Sequence, residues 1–148
     1  MRLTRGCGHA LRALEHLAAR RDGRPATARD IAEARGAPKR FLLRVLKALV
    51  TAGLLRSAPG PGGGYRLGRP AARITLLEVV EAVDGPIRGE APPAQARWPR
   101  FDSRLGAVCQ AVADRVRRHL GKVRVSDLVS PEPVQTQAAL SRGRRGGR

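Results

Sequence analysis

The sequence predicts a mainly α protein with one small β wing, and three observations predict it. Helix signals mark four segments before Gly85 and a longer one after Phe101. A run rich in proline and glycine, Ser57 to Gly64, separates two short β-prone stretches. No segment approaches the roughly 20 apolar residues that a membrane span needs.

From Leu3 to Ala18 the apolar residues Leu3, Ala10, Leu11, Leu14, Leu17 and Ala18 recur at helical spacing, with Arg5, Arg12, His16 and Arg20 opposite. After the turn 21–25, Thr27 and Asp30 form a capping box, with Asp in place of the usual Glu, for a second helix through Ala34 that Gly36 ends. Pro38 suits the first position of a third helix, where its missing N–H is not needed, and Gly53 closes that helix. Its residues Phe41, Leu42, Val45, Leu46 and Leu49 face a core, while Lys39, Arg40, Leu43, Arg44 and Lys47 project outward. Leu54 to Arg56 and Tyr65 to Leu67 are expected as the two strands of the wing, joined by the glycine-rich loop.

Ile74 to Val83 is a fourth amphipathic helix, ended by Asp84-Gly85-Pro86, with Glu78, Glu81 and Asp84 expected on a solvated face. The proline-containing stretch from Ile87 to Phe101 is expected as a loop. Its Trp98 reads either as a plug over the domain or as an anchor for a ligand or partner. Asp102 is expected to cap a long helix to about Lys122. Its stripe of Leu105, Val108, Cys109, Val112, Val116 and Leu120 is more than a small winged domain needs, so it is expected to pack on a symmetry mate. Ser126 to Val129 makes a final turn, and Ser130 to Arg148 has the composition of a disordered basic tail. The expected division is a winged helix-turn-helix domain over 1–86, a loop over 87–101, a dimerisation helix and short terminal helix over 102–129, and the tail over 130–148.

Charge points to the partner. With 29 Lys plus Arg against 12 Asp plus Glu, the net charge of +17 implies a polyanion, because such an excess otherwise only adds self-repulsion. Sixteen of the bases and four of the acids lie in residues 1–73, so the excess sits on the helix-turn-helix and wing. The second helix of such a pair enters the major groove of double-stranded DNA. Lys39, Arg40, Leu43 and Arg44 are therefore the expected base readers, Arg and Lys for guanine and Leu for a thymine methyl, with Lys47 on phosphate. Arg56, Arg66 and Arg69 are expected on phosphates around the wing, and Thr27, Pro38, Gly62, Gly63, Gly64 and Tyr65 complete the expected DNA-binding set. A nucleotide-binding reading of the glycine loop fails, since GPGGGYRLG lacks the Gly-Lys-Ser/Thr ending and leads into a strand.

Neither a Ser/His/Asp set nor paired carboxylates nor clustered metal ligands appear, so the chain is not expected to be an enzyme. His9 and His16 lie two helical turns apart, too far to share one ion. Cys7 and Cys109 read first as small core residues, and second as a thiol pair or a metal site across a dimer. Lacking export features, the protein is expected in the cytoplasm.

Together MRLT, ALRAL, TARDIAEARGAPKRFLLRVLKALVTAGLLRS, GPGGGYRL and ITLLEVVEAVDGPI resemble the Rrf-two family of bacterial winged-helix repressors, of the IscR/NsrR type. The resemblance covers residues 1–86 closely and the long helix and SDLV more loosely. It implies a homodimeric repressor in which each subunit presents its third helix and wing to half of an operator. Many members hold an iron-sulfur cluster on three cysteines of the loop before the long helix. Here 87–101 has no cysteine, and Gly8 and His9 stand where the family often has an acidic residue followed by Tyr, so no cluster or other cofactor is expected. A protein or small-molecule effector at the 87–101 loop is the expected signal. A nonspecific architectural nucleic-acid binder and a regulatory subunit acting through a protein partner are the alternatives.

Overall fold

In the computed structural model, which describes residues 2–20 and 22–129, the first helix opens at a hydroxyl. Thr4 Oγ1 accepts the backbone N–H of Cys7 at 3.1 Å, and α1 runs Arg5–Ala19. The expected start at Leu3 is therefore two residues early. The basic tail expected over 130–148 lies outside the described residues.

The capping box at Thr27 forms as read: Thr27 Oγ1 accepts the N–H of Asp30 at 3.1 Å and the Asp30 carboxylate accepts that of Thr27 at 2.9 Å. α2 spans Ala28–Arg35 and ends on Gly36 at φ 60°, where a side chain would be strained. Pro38 sits one position earlier than expected, before the helix rather than in its first turn. Its ψ of 121° is extended, and its carbonyl accepts the N–H of Leu42 at 2.9 Å to start α3, Lys39–Thr51. The wing strands are β1, Leu55–Ala58, and β2, Gly64–Leu67, antiparallel with Arg56 opposite Arg66 and Ser57 opposite Tyr65. A short 3-10 turn, Ala71–Arg73, leads to Thr75, which caps α4, Leu76–Asp84, through a second capping box with Glu78.

The long helix α5 spans Pro99–Leu120, three residues longer at its start than expected. Asp102 is not its cap; its carboxylate accepts the backbone N–H of Gln95 at 2.6 Å and so ties the preceding loop to the first turn. α6, Val125–Leu128, returns to α4: Leu76 N–H donates to Val123 O at 2.8 Å and Val125 N–H to Ile74 O at 2.9 Å.

A single main core gathers Leu14, Ile31, Leu42, Leu46, Leu49, Leu54, Leu55, Ile74, Val79 and Val125, all fully buried. α1 runs through its middle and meets α2, α3, α4, α6 and β2. A smaller cluster of Cys7, Val80 and Leu120 fixes the end of α5 on α1 and α4. Leu120 thus leaves the expected dimerisation stripe, because its own chain covers it. Of the acids of α4, Asp84 is exposed as expected, while Glu78 and Glu81 are half-buried, and all three are engaged by their own chain. Glu78 holds Arg69, Glu81 holds Arg117 and accepts the N–H of Ile87, and Asp84 accepts the Thr4 hydroxyl at 2.5 Å. No helix among the described residues is long and apolar enough to cross a membrane.

Candidate nucleic-acid interface

α3 is split lengthwise by its sequence. Leu42, Val45, Leu46 and Leu49 are buried, and Phe41 is half-buried, its ring T-shaped to that of His9 with 5.5 Å between their centres. Lys39, Arg40, Leu43, Arg44 and Lys47 all emerge on the opposite side, where Leu43 is 39% exposed among four cations. Sequence periodicity places these five correctly because one helix carries them all. Thr27 is exposed at the start of α2, with its hydroxyl committed to the cap.

The wing is held to this pair of helices by a contact that periodicity does not reveal. Ala26, just before the Thr27 cap, exchanges two backbone hydrogen bonds with Tyr65, at 2.9 and 2.8 Å. Gly64 makes that seam feasible: its φ is 142°, and a Cβ there would stand 2.5 Å from the Ala26 carbonyl oxygen. At the tip, Gly63 N–H closes on the Gly60 carbonyl at 3.0 Å, and a Cβ on Gly63 would collide with the carbonyls of Ala58, Pro59 and Gly60. Gly63 by its close contacts, and Gly62 by its φ of 73°, therefore shape the wing, and Tyr65 anchors it through its backbone.

Arg56 and Arg66 face each other directly across the two strands and are both exposed. Like charges in that register repel, so the register costs stability unless an anion lies between them. Arg69 departs from the expectation of a phosphate contact. Its guanidinium donates to Glu78 at 2.6 Å, and Glu78 also accepts from the N–H and hydroxyl of Thr75. Burial pushes the Glu78 carboxyl up, but these hydrogen bonds and the Arg69 charge outweigh it and hold its pKa below the ordinary value. Arg69 fastens the exit of the wing to the start of α4.

The cations therefore fall into two sets. Arg20, Arg29, Arg35, Arg69 and Arg117 pair with carboxylates of their own chain. Among the described residues, Lys39, Arg40, Arg44, Lys47, Arg56 and Arg66 make no ion pair. Those six lie on α3 and the wing; thirteen further Lys and Arg among the described residues, Arg5, Arg12 and Arg104 among them, are unpaired as well and lie elsewhere.

Far from this face, α5 presents Val108 and Val112 at 61% and 56% exposed, with Leu105, Cys109 and Val116 half-buried beside them. Trp98 and Phe101, 56% and 63% exposed, extend the same apolar band, so Trp98 is no plug over the core. The Arg97 guanidinium stands 5.8 Å from its ring centre. Gly89 lies so close to the backbone of Cys109 and Gln110 that a Cβ would collide with it, which seats the loop along α5.

A scan of protein families matches residues 3–131 to Rrf2, described as an iron-dependent transcriptional regulator. The chain belongs to the Rrf2 family. It is therefore a member of a family of DNA-binding transcriptional regulators, not enzymes. An Rrf2 relative, the HTH-type transcriptional regulator IscR of Xenorhabdus nematophila, is 32% identical over 135 residues, covering 90% of this chain and 82% of that protein. Two putative HTH-type transcriptional regulators of Mycobacterium tuberculosis are 38% identical over 87 residues, which is 59% of this chain and 54% of their length. This chain thus matches little more than half the length of those two. In fold, CymR, the global cysteine regulator of B. subtilis, superposes with a TM-score of 0.71 at 22% identity, covering 90% of this chain and 99% of that one. The IscR of T. potens gives 0.65 at 20% identity, covering 87% and 86%.

The iron in the family's description meets an unsuitable donor set here. The chain has two cysteines in all, both free. Cys7 is fully buried; burial first, and then the nearby Asp84 charge, push its thiol up to about 11, the opposite of what a thiolate ligand requires. Among the described residues no three His, Cys, Asp or Glu side chains gather as a metal site, and residues 130–148 contain neither Cys nor His. These residues do not fit a cysteine-held iron-sulfur cluster.

Proposed function

We propose that this Rrf2 protein is a cytoplasmic, homodimeric repressor that binds a specific double-stranded operator and blocks the promoter that carries it. The observation that carries the reading is the outer face of α3, where four unpaired cations surround an exposed Leu43 beside the opposed arginines of the wing. Lys39, Arg40 and Arg44 offer donors to guanine edges and Leu43 an apolar contact to a thymine methyl. Lys47, Arg56 and Arg66 engage phosphates, which fix register without reading sequence. Glycines 62–64 bring the wing backbone close to the duplex.

Two copies pair through the α5 band of Leu105, Val108, Cys109, Val112 and Val116, which a lone chain leaves largely in water. Pairing doubles the recognition surface and makes the operator roughly two-fold symmetric. No iron-sulfur cluster serves as sensor. An effector at the loop 87–101 takes that role.

Selection of bound duplexes from a random pool tests the central claim. A palindromic consensus is expected, with two half-sites per dimer. Enrichment of no sequence would instead leave a nonspecific architectural binder. Protein purified without oxygen should be colourless; a visible cluster band would overturn the sensor assignment. The exposed Trp98 and Phe101 favour a second reading, contact with a protein partner, in which deletion of that aromatic pair changes what co-purifies.

A further inference from the structure

α5 has three sides, and each faces something different. Ala113 and Leu120 are buried on the body of their own chain, Leu120 against Cys7 of α1 and Val80 of α4. Beside them round the helix runs the apolar band of Val108 and Val112. The third side is cationic. At 3.6 residues per turn, Arg100, Arg104, Arg115 and Arg118 fall within about 60° of one another, on the side of α5 opposite Ala113 and Leu120. All four are exposed, as is Lys122 just past the end of the helix, and none makes an ion pair among the described residues. Asp114 stands one turn before Arg118, yet it is half-buried and accepts from Gln110 at 3.0 Å instead of pairing with it. The row is free in a single chain and in a pair, because the band on which two copies pair lies about a third of a turn away.

The chemistry of the row selects its partner. Between Arg104 and Arg115 the same side carries Ala107 and Ala111, both exposed. It therefore lacks the aromatic or large aliphatic side chains that form the desolvated centre of a protein interface. Cations flanking small side chains suit a phosphate backbone, whose contacts need charge and close approach but no apolar match. The two cationic ends are about 16 Å apart along the helix axis, enough to set one on each strand beside a major groove about 12 Å wide. The row points away from the side of α5 that rests on α1 and α4, the two helices that pack on α3. A duplex lying on it is thus not the duplex that α3 reads.

We infer that this row of α5 holds a second DNA duplex by its backbone, without reading sequence, so that the protein joins two duplexes. This goes beyond the operator reading above, in which only α3 and the wing touch DNA. Energy transfer between donor-labelled and acceptor-labelled short duplexes of unrelated sequence, mixed with the full chain, tests it. Transfer is expected, and it should fall with added salt more steeply than the binding of donor duplex alone, since the second contact is made of charge only. The double variant Arg115→Gln, Arg118→Gln should weaken capture of the second duplex about tenfold while one duplex still binds through α3 and the wing. Arg12→Gln with Arg73→Gln, which removes the same charge from exposed positions of α1 and the 3-10 turn, should leave transfer unchanged. Residues 130–148 are identical in all three proteins, so their arginines cannot account for a difference. Absence of transfer, transfer that survives the α5 variant, or equal losses in both variants would overturn the second site. Displacement by polyglutamate as readily as by unlabelled duplex would overturn it in favour of an acidic protein partner. No operator is used, so failure here leaves the operator reading standing, and a failed operator selection leaves this result standing.

Discussion

Replacing Gly64 by Ala tests whether the wing is held by the Ala26 seam. The added Cβ would lie 2.5 Å from the Ala26 carbonyl oxygen, 2.7 Å from its carbon and 3.0 Å from the Thr27 nitrogen, all backbone atoms of one peptide and none the end of a flexible side chain. Alanine also resists the φ of 142° that Gly64 adopts. Relief requires opening the seam, which forfeits the hydrogen bonds at 2.9 and 2.8 Å. Two bonds at about 0.5 to 1.5 kcal/mol each, with about 1 to 3 kcal/mol of backbone strain, give about 2 to 6 kcal/mol lost from wing docking. Most of the core lies away from this seam, in Leu14, Ile31, Leu42, Leu46 and Leu49, although Ala26 itself is fully buried and Tyr65 packs against it. Hydrogen exchange reads the two apart. In G64A the amides of Ala26 and Tyr65 should exchange far faster while that of Leu46 stays protected, and hydroxyl-radical footprints should lose protection beside the α3 contact rather than beneath it. Unchanged exchange at Ala26 and Tyr65 would refute the seam as the wing's anchor.

Three further outcomes follow from burial and charge. Leu46→Ala, at a fully buried site behind the exposed face of α3, should lower unfolding free energy by about 2 to 5 kcal/mol in urea titration; a smaller loss would mean the core is looser than drawn. Glu78 has a folded-state pKa below its ordinary 4.5, so its stabilisation is complete above that value and fades as pH falls through the lower folded one. The stability gap between wild type and Glu78→Gln should therefore be widest near neutral pH and close in acid, and a gap independent of pH would count against the Arg69–Glu78–Thr75 cluster. In a Cys109→Ser background, Cys7 should resist thiol reagents until the protein unfolds, because it is buried and its thiolate is disfavoured; rapid labelling of the native chain would show that α1 opens there.

What could be read from sequence was local, and what escaped it was long-range. Thr27, Asp30 and Gly36 announce both ends of α2 because a cap is made within three or four residues of itself. The exposed face of α3 is legible because five positions share one helix. No pattern in the chain announces that Ala26 pairs with Tyr65, that Thr4 meets Asp84, or that Glu81 holds Arg117 across 36 residues. Two of those contacts turn Asp84 and Glu81, both expected on a solvated face, into ties from α4 to the start of α1 and to the long helix. Leu120 shows the same limit within one helix. It shares a stripe with Leu105 and Val112, and periodicity names the face without naming its cover: α1 and α4 at one end, open water further along.

The sorting of the cations makes the interface quantitative. Each phosphate that a lysine or arginine neutralises releases counterions, so the logarithm of affinity falls with the logarithm of salt by about 0.9 per contact. An arginine already neutralised by its own chain has little to contribute to that slope. Lys47, exposed and unpaired on α3, should on conversion to Ala weaken binding to every sequence alike and flatten the slope by about 0.9 per subunit. Arg40→Ala should instead relax recognition by about 1 to 3 kcal/mol at one base pair. Arg69 stands close to the wing in the sequence yet is occupied by Glu78. Arg69→Gln should loosen the attachment of the wing and lower affinity somewhat, while leaving the salt slope where it was. A slope that falls as much for Arg69 as for Lys47 would mean that DNA strips Arg69 from Glu78 on binding, and that the ion pair holds the wing only until the operator replaces it.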